Sequence, residues 1–411
     1  MFNQSQQKAT TIKYNNFFKW SFFLGLLWLA LGVVYIPGNK IYQQGVVLFL
    51  YIPVFFLIVS NFSLMKSVFN SEKYFFVALI ALFVYAALNG SIQTELKSAK
   101  HPLYIFLFVV LGVGLVLADY EQRVKRLMLY FMLTAVTVIS VYIMYNFFIV
   151  NGYPITARMW GVLGLEHVIL ASYYIGFFLL LSMFLIVEKK EYVLILVVFI
   201  LGAYILFAQS RGAYGALFIA MLVYTLLFTR RNKIALYFMA FLLITAVALG
   251  FLYQDQIMSR GFSYRPEILK ASIELGMKNL WFGIGLDQQY RVFSPSFPEG
   301  AWHPHNLLAH IFIELGIVGL VLFSMLWLYS FYYCFMNRTN TIARFNIIWM
   351  VFSSLAVQSD AASFIVQPRL EWMVVWVPVF LTAAVIAVNY MNKVEPGRNS
   401  DKCDFIISTI K

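Results

Sequence analysis

The sequence predicts an all-α polytopic membrane protein that crosses the bilayer about twelve times. Three observations carry that expectation. The first is composition: 62% of the 411 residues are hydrophobic and 12% are charged. A soluble domain has about 45–50% apolar and about 25% charged residues. No soluble fold could hide this apolar surface, which includes 41 Phe and 26 Tyr. The second is that the apolar residues form long continuous runs. A membrane helix needs about 20 of them, whereas a barrel strand shows short alternation. In lipid each backbone polar group must be paired internally, so long runs mean helices. The third is that Lys and Arg concentrate in alternate short loops between the runs.

The runs, in order, are Trp20–Ile36, Gln43–Phe62, Tyr74–Ile92, Pro102–Ala118, Leu127–Val150 and Val168–Val187, then Tyr192–Ala208, Gly212–Thr229, Ile234–Tyr253, Asn306–Met336, Phe345–Ala362 and Leu370–Met391. Only Gln209-Ser210-Arg211 separates the seventh from the eighth. Together those two are too long for one crossing, so a tight hairpin is expected there. Residues 1–411 make one integral membrane domain.

Cytoplasmic loops carry the excess of Lys and Arg. With the amino terminus inside, the five short inner loops hold 12 basic residues and the tails seven more. The other 11 of 30 fall outside, five of them in the long loop 254–305. The even number of crossings leaves both 1–19 and 393–411 in the cytoplasm. The net charge of +12 is therefore orienting charge, and no nucleic-acid partner is expected. The first 19 residues are polar and basic, without a small-residue cleavage pattern. Two cysteines, Cys334 and Cys403, make neither a disulfide framework nor a zinc spacing.

The long outer loop has internal order. Pro266 to Leu280 reads as a helix with a polar stripe of Glu267, Lys270, Glu274 and Lys278. Pro266 suits the first helical position. The stripe predicts an amphipathic helix on the membrane surface or packed on the bundle mouth. Gly283-Ile284-Gly285 then breaks it.

Several residues near the outer face can carry chemistry. Arg211 stands where the eighth helix would begin and Arg265 where the surface helix would begin. Helix amino termini and guanidinium groups both favour phosphate. Arg158, in the loop 151–167, and Arg291 are further arginines of this kind. In His303-Pro304-His305-Asn306, Asn306 is expected to cap the tenth helix. The His305 imidazole, with a free pKa of about 6.5, can accept a proton from a hydroxyl at neutral pH. His303 and His310 invite a metal reading, but the sequence shows no carboxylate cluster to complete it, so no metal is expected. Glu314 lies about 12 Å down the tenth helix from Asn306, where an ionisable group is functional or paired. Asp360 lies near the outer end of the eleventh run, where it would orient His305, meet a basic residue or cap the helix. Glu166-His167 opens the sixth run on the same side.

Gln209-Ser210-Arg211-Gly212-Ala213, then a long outer loop, then Pro304-His305-Asn306 followed by Glu314-x-Gly316-x-x-Gly319, resembles the O-antigen ligase and polymerase superfamily. The motifs span roughly residues 205–325, and the multi-span topology extends the likeness along the chain. The resemblance implies a bacterial inner-membrane glycosyltransferase of GT-C-like architecture, working on the periplasmic side without a cofactor. Its donor would be an undecaprenyl-diphosphate-linked glycan and its acceptor, in the ligase branch, a sugar of the lipid A-core, both met among membrane lipids. By motif position Arg211 and Arg265 would hold the diphosphate and His305 would be the base. Arg158, Arg291, His303, Glu314 and Asp360 remain as supporting candidates.

The donor diphosphate leaves readily once arginines neutralise its growing charge, more strongly in a partly dehydrated cavity than in water. Attack by a deprotonated acceptor hydroxyl from the opposite face would invert the anomeric centre. The Ser-Arg-Gly-Ala and Pro-His-Asn motifs favour the ligase branch. An O-antigen polymerase, joining lipid-linked repeat units, is the nearest alternative. A transporter or flippase of an anionic lipid-linked substrate is the alternative of another class, and the lack of visible sequence halves argues against it.

Overall fold

A computed structural model describes residues 16–36, 39–93, 100–118, 121–228, 232–252, 264–360 and 364–394. Helices α1 (Asn16–Tyr35), α2 (Asn39–Val46), α3 (Ile52–Ser60), α4 (Phe62–Ser71), α5 (Lys73–Gln93), α6 (Lys100–Leu117) and α7 (Gln122–Tyr145) form the first half. The second half holds α8 (Val168–Lys189), α9 (Ile195–Phe207), α10 (Arg211–Phe228), α11 (Lys233–Leu252), α12 (Arg265–Met277), α13 (Leu307–Met336), α14 (Thr341–Ala356) and α15 (Val377–Val394).

Among the described residues, seven helical stretches are long and apolar enough to cross a membrane: Lys40–Ser60, Lys73–Gly90, Gln122–Val150, Val168–Lys189, Arg211–Phe228, Leu307–Met336 and Val377–Val394. Five shorter apolar helices, Trp20–Tyr35, Lys100–Val116, Tyr192–Phe207, Lys233–Thr245 and Thr341–Ala356, occupy the five remaining expected runs. The protein is an all-α polytopic membrane protein. Helix α8 is the hub, with 83% of its apolar window buried, against 39% for Gln122–Val150 and for Arg211–Phe228. The outer helices present Phe55, Val77, Leu127, Val193 and Phe251, side chains that suit lipid. Inside, many polar groups are paired: the Tyr174 hydroxyl donates to Ala30 O at 2.6 Å and Asn346 Nδ2 to Pro378 O at 2.9 Å.

Local chemistry sets the helix ends that matter for the site. Helix α13 starts where Asn306, in extended backbone, accepts a hydrogen bond from Ala309 N at 3.0 Å, the expected cap. His167 caps α8 by accepting from Leu170 N at 3.3 Å. The expected hairpin joins α9 to α10, with Gln209 in the left-handed region at φ 49°. Helix α14 ends at Ala356, six residues before the expected run end. The twelfth run holds the single turn Trp372–Val375 before α15. Two stretches, Val47–Tyr51 and Asn146–Val150, are wound as π-helix, which the apolar pattern did not foretell.

The expected amphipathic helix is α12, which starts one residue earlier and ends three residues earlier than the sequence suggested. It packs on the bundle mouth: Ile268 joins Ile313, Val292 and Ala301 in a small separate core. The segment after it also makes an antiparallel pair, β1 (Val292–Ser294) and β2 (Phe297–Ala301). That ribbon was not expected.

The tenth run is not one continuous helix. Gly316, at φ 64° and ψ −166°, breaks α13 ten residues in. That conformation is accessible essentially to Gly alone. The freed backbone groups are taken up by the segment that follows α12. Ile284 N donates to Ile313 O at 2.9 Å, Gly285 N to Glu314 O at 3.0 Å, and Ile317 N to Leu280 O at 2.8 Å. The Tyr85 hydroxyl donates to Leu315 O at 2.7 Å. Non-helical backbone among membrane helices is tolerated where the protein itself satisfies it. Part of the long loop is therefore stitched into the bundle.

Candidate active site

The break in α13 fixes its first turns, and those turns carry the histidines. His305 stands at φ 51°, just before the Asn306 cap, so its ring is aimed by the helix start. Its Nδ1 donates to Asp360 Oδ1 at 3.1 Å. Asn306 Nδ2 also donates to Gln358 Oε1 at 2.7 Å, and Leu307 N to Val357 O at 2.9 Å. The turn after α14 and the start of α13 are thus locked together.

Asp360 is 3% exposed, and its second oxygen, Oδ2, has no hydrogen-bond partner among the described residues. His167 Nε2 lies 3.7 Å from that oxygen. Burial by itself would raise the Asp360 carboxyl, but the hydrogen bond from His305 and the charges of His305, His167 and His303 outweigh it, and the group is held below its ordinary range. His303 lies with its ring centroid 4.1 Å from that of His305. Burial, then the neighbouring His305, pushes His303 down to about 4.

Helix α10 brings Arg211 to the same turn. A Cβ on Gly212 would lie 2.4 Å from Ser359 Oγ and 3.6 Å from the Tyr173 hydroxyl. Only a glycine lets the amino terminus of α10 seat against the Ser359–Asp360 turn. The Tyr173 hydroxyl bonds Ser359 Oγ at 2.6 Å, and Arg265 lies within electrostatic reach of Tyr173. Ser210, one residue before α10, is buried with an Oγ that has no partner among the described residues. Arg158 Nε donates to Ala208 O at 3.3 Å, and Gln209 Nε2 to Thr156 O at 3.0 Å. The loop 151–167 is thereby pinned beside Arg211.

His305, His303, Asp360, Arg211, Arg265 and Arg158 therefore gather at one end of the bundle. Arg291 is engaged elsewhere: its guanidinium stacks on the Trp302 ring at 3.7 Å and donates to Glu299 O at 3.0 Å, which braces the β1–β2 ribbon. Glu314 is paired. His310 Nε2 lies 3.4 Å from its Oε2, Asp287 N donates to its Oε1 at 3.2 Å, and the Tyr290 hydroxyl meets His310 Nδ1 at 2.6 Å. These contacts hold the inserted loop to α13. His310 belongs to that clamp and not to the His303–His305 pair.

Tyr173 had no usable signal in the sequence, and His167 had only a positional one. Tyr173 sits inside an apolar run and looks like any lipid-facing tyrosine. His167 was visible only as an outward-facing neighbour of the sixth run. The carboxylate missing from the sequence reading of a metal site is also present. His303, His305 and Asp360 each offer one ligand atom, all within 4.8 Å of one another, the number of protein ligands in an open zinc site.

The comparisons with known proteins bear on the same region. The model of a family described as Wzy_C, O-antigen ligase, matches residues 196–324, which run from α9 into the second half of the broken α13. The chain is also 26% identical over 317 residues to an O-antigen ligase of Pseudomonas aeruginosa, covering 75% of this chain and 77% of that protein.

Proposed function

We propose that the chain is a member of the O-antigen ligase superfamily, to which it is similar, and that it transfers a lipid-linked O-antigen glycan to a lipid A-core acceptor. The donor is an undecaprenyl-diphosphate-linked glycan and the reaction runs at the periplasmic face of the inner membrane, with both termini cytoplasmic. The observation that carries this reading is the His305–Asp360 hydrogen bond set against the amino terminus of α10, where Arg211 stands.

In this mechanism Asp360 orients the His305 ring and stabilises it once protonated, leaving Nε2 as the base. Nε2 takes the proton of the acceptor hydroxyl as its oxygen attacks the anomeric carbon. The bond from that carbon to the diphosphate oxygen breaks on the opposite face, and the configuration inverts. Arg211 and Arg265, with Arg158 beside them, neutralise the departing diphosphate, and the α10 amino terminus adds its partial positive charge. No covalent intermediate on the protein is needed.

The test is transfer by the purified protein given lipid-linked glycan and core acceptor. Transfer that survives a strong chelator supports His305 as base. Transfer lost to the chelator and restored by zinc would assign His303, His305 and Asp360 to a metal instead. In cells, a deletion strain that accumulates lipid-linked polymer and loses every capped lipopolysaccharide supports the ligase. A persisting single capped repeat would point to a polymerase.

A further inference from the structure

A second feature lies at the amino-terminal ends of α2 and α6. There the helices enclose a groove of about 300 Å³ that includes Lys40, Lys100, Tyr51, Leu48 and Ile52. That is the lower end of the range for small-molecule sites. Its chemistry is graded. Lys40 and Lys100 are both exposed at the mouth, and no carboxylate is among the described lining residues. Leu48 and Ile52 are 55% and 43% exposed and stand on a membrane-crossing stretch, so that side opens to lipid. Eight residues of helix put Leu48 about 12 Å deeper than Lys40.

Tyr51 lines the same groove, next to Ile52 in the chain. It is 4% exposed, and its hydroxyl has no hydrogen-bond partner among the described residues. It ends the π-helical stretch Val47–Tyr51 and stacks on Tyr104 at 5.3 Å. A buried hydroxyl costs free energy unless something bonds it, and π-helical turns are frequent at functional sites. Orienting charge does not explain the lysines, because by the charge count this end of the bundle is the side depleted in Lys and Arg.

The geometry points to a binding site for a phosphorylated glycolipid, with its phosphates on Lys40 and Lys100, a polar linkage on the Tyr51 hydroxyl and an acyl chain along Leu48 and Ile52. The occupant we assign is the lipid acceptor, an assignment that rests on the ligase reading. Gln367, on the groove wall, follows Asp360 by seven residues, which can span at most about 25 Å. An acceptor sugar several residues removed from the lipid phosphates can bridge that gap to His305.

The experiment uses the full-length protein in detergent, with native mass spectrometry and a transfer assay. The probes are diphosphoryl lipid A, its dephosphorylated form and phosphatidylglycerol. Wild type should retain the diphosphoryl lipid at least about tenfold better than the dephosphorylated one, as expected for two lysines acting near a surface. Lys40→Gln/Lys100→Gln should lose that preference and raise the acceptor KM by a similar factor, with kcat and the donor KM unchanged. Tyr51→Phe should weaken retention less. Both lysines are exposed, and an unchanged melting temperature will show that the double variant is folded. Retention by the double variant equal to wild type would overturn the site. Equal displacement by phosphatidylglycerol would reduce it to a bulk-lipid groove and overturn the acceptor assignment. Groove-dependent binding without any transfer by wild type would sink the ligase reading and leave the glycolipid site standing. Transfer by wild type with an unchanged acceptor KM in the double variant would do the reverse.

Discussion

The Asp360 carboxylate accepts a hydrogen bond from His305 Nδ1 at 3.1 Å, across 55 residues of sequence and between the ends of two helices. That bond selects the tautomer with a free Nε2, the form a general base needs. Asp360→Asn keeps the volume and removes the charge that stabilises the protonated ring. It is expected to lower kcat by roughly 10²–10⁴ while leaving the KM values for donor and acceptor nearly unchanged. His305→Ala is expected to abolish transfer at unchanged protein level. Wild-type rates for Asp360→Asn would remove the pair from the mechanism.

His303 makes a separate prediction about acid. Its folded pKa is about 4, whereas an unfolded imidazole titrates near about 6.5. Between those values the unfolded state binds more protons, so the folded state loses stability as the pH falls from about 6.5 towards 4. Asp360 acts lower still. Its depressed pKa contributes stability that is present above the unfolded carboxyl value of about 3.9 and lost as the pH falls through the folded value. Melting of the detergent-solubilised protein should therefore show a wild-type decline from pH 6.5 to 4 that His303→Gln flattens. Parallel curves for the two proteins across that window would contradict it.

The sequence carried the membrane fold well because lipid enforces long apolar runs, and each of the twelve holds one apolar helix or helical stretch. It also located the cap at Asn306 and the start of α10 at Arg211, since polar residues at a run boundary have few other places to go. The contacts that build the site are of a different kind. Tyr173 reaches Ser359 across 186 residues, and no local pattern encodes that. The break at Gly316 was hidden for a related reason: Gly316 stands inside an unbroken apolar run, and what tolerates the break lies some thirty residues upstream at Leu280 to Gly285. Arg211 and Arg291 are alike in sequence as outer-side arginines. Only the Trp302 ring under Arg291 separates them.

Gly316 should be intolerant of any side chain. A Cβ there would stand 2.3 Å from Trp281 O and 2.6 Å from Phe282 N, both backbone atoms that cannot move aside alone. A Cβ at Gly283 would meet Glu314 O at 2.3 Å. Gly316→Ala therefore has to expel the inserted loop or straighten α13, and either change disturbs the first turns that aim His305. The expected result is a lower melting temperature together with loss of transfer. Gly202→Ala is the control, since its Cβ would meet nothing within 4 Å. Normal stability and activity in Gly316→Ala would show that the stitched break is not needed.

The arginines divide by what they touch. Arg211 opens α10 beside the Asp360 turn, where a guanidinium and a helix amino terminus act on the same anion. Losing a charge-stabilising group from a partly dehydrated site costs roughly 10²–10³ in rate, so Arg211→Ala should fall by about that much at an unchanged melting temperature. Arg211→Lys should recover only part, because an ammonium cannot grip a diphosphate with two parallel hydrogen bonds. Arg291 is held by Trp302 and the Glu299 carbonyl. Its loss should remove a cation–π contact of about 0.5–2 kcal/mol and loosen the ribbon before His303. Arg291→Ala should accordingly melt earlier yet keep most of its transfer rate. If Arg291→Ala instead loses activity as deeply as Arg211→Ala while melting like wild type, Arg291 acts on the donor and the division drawn here fails.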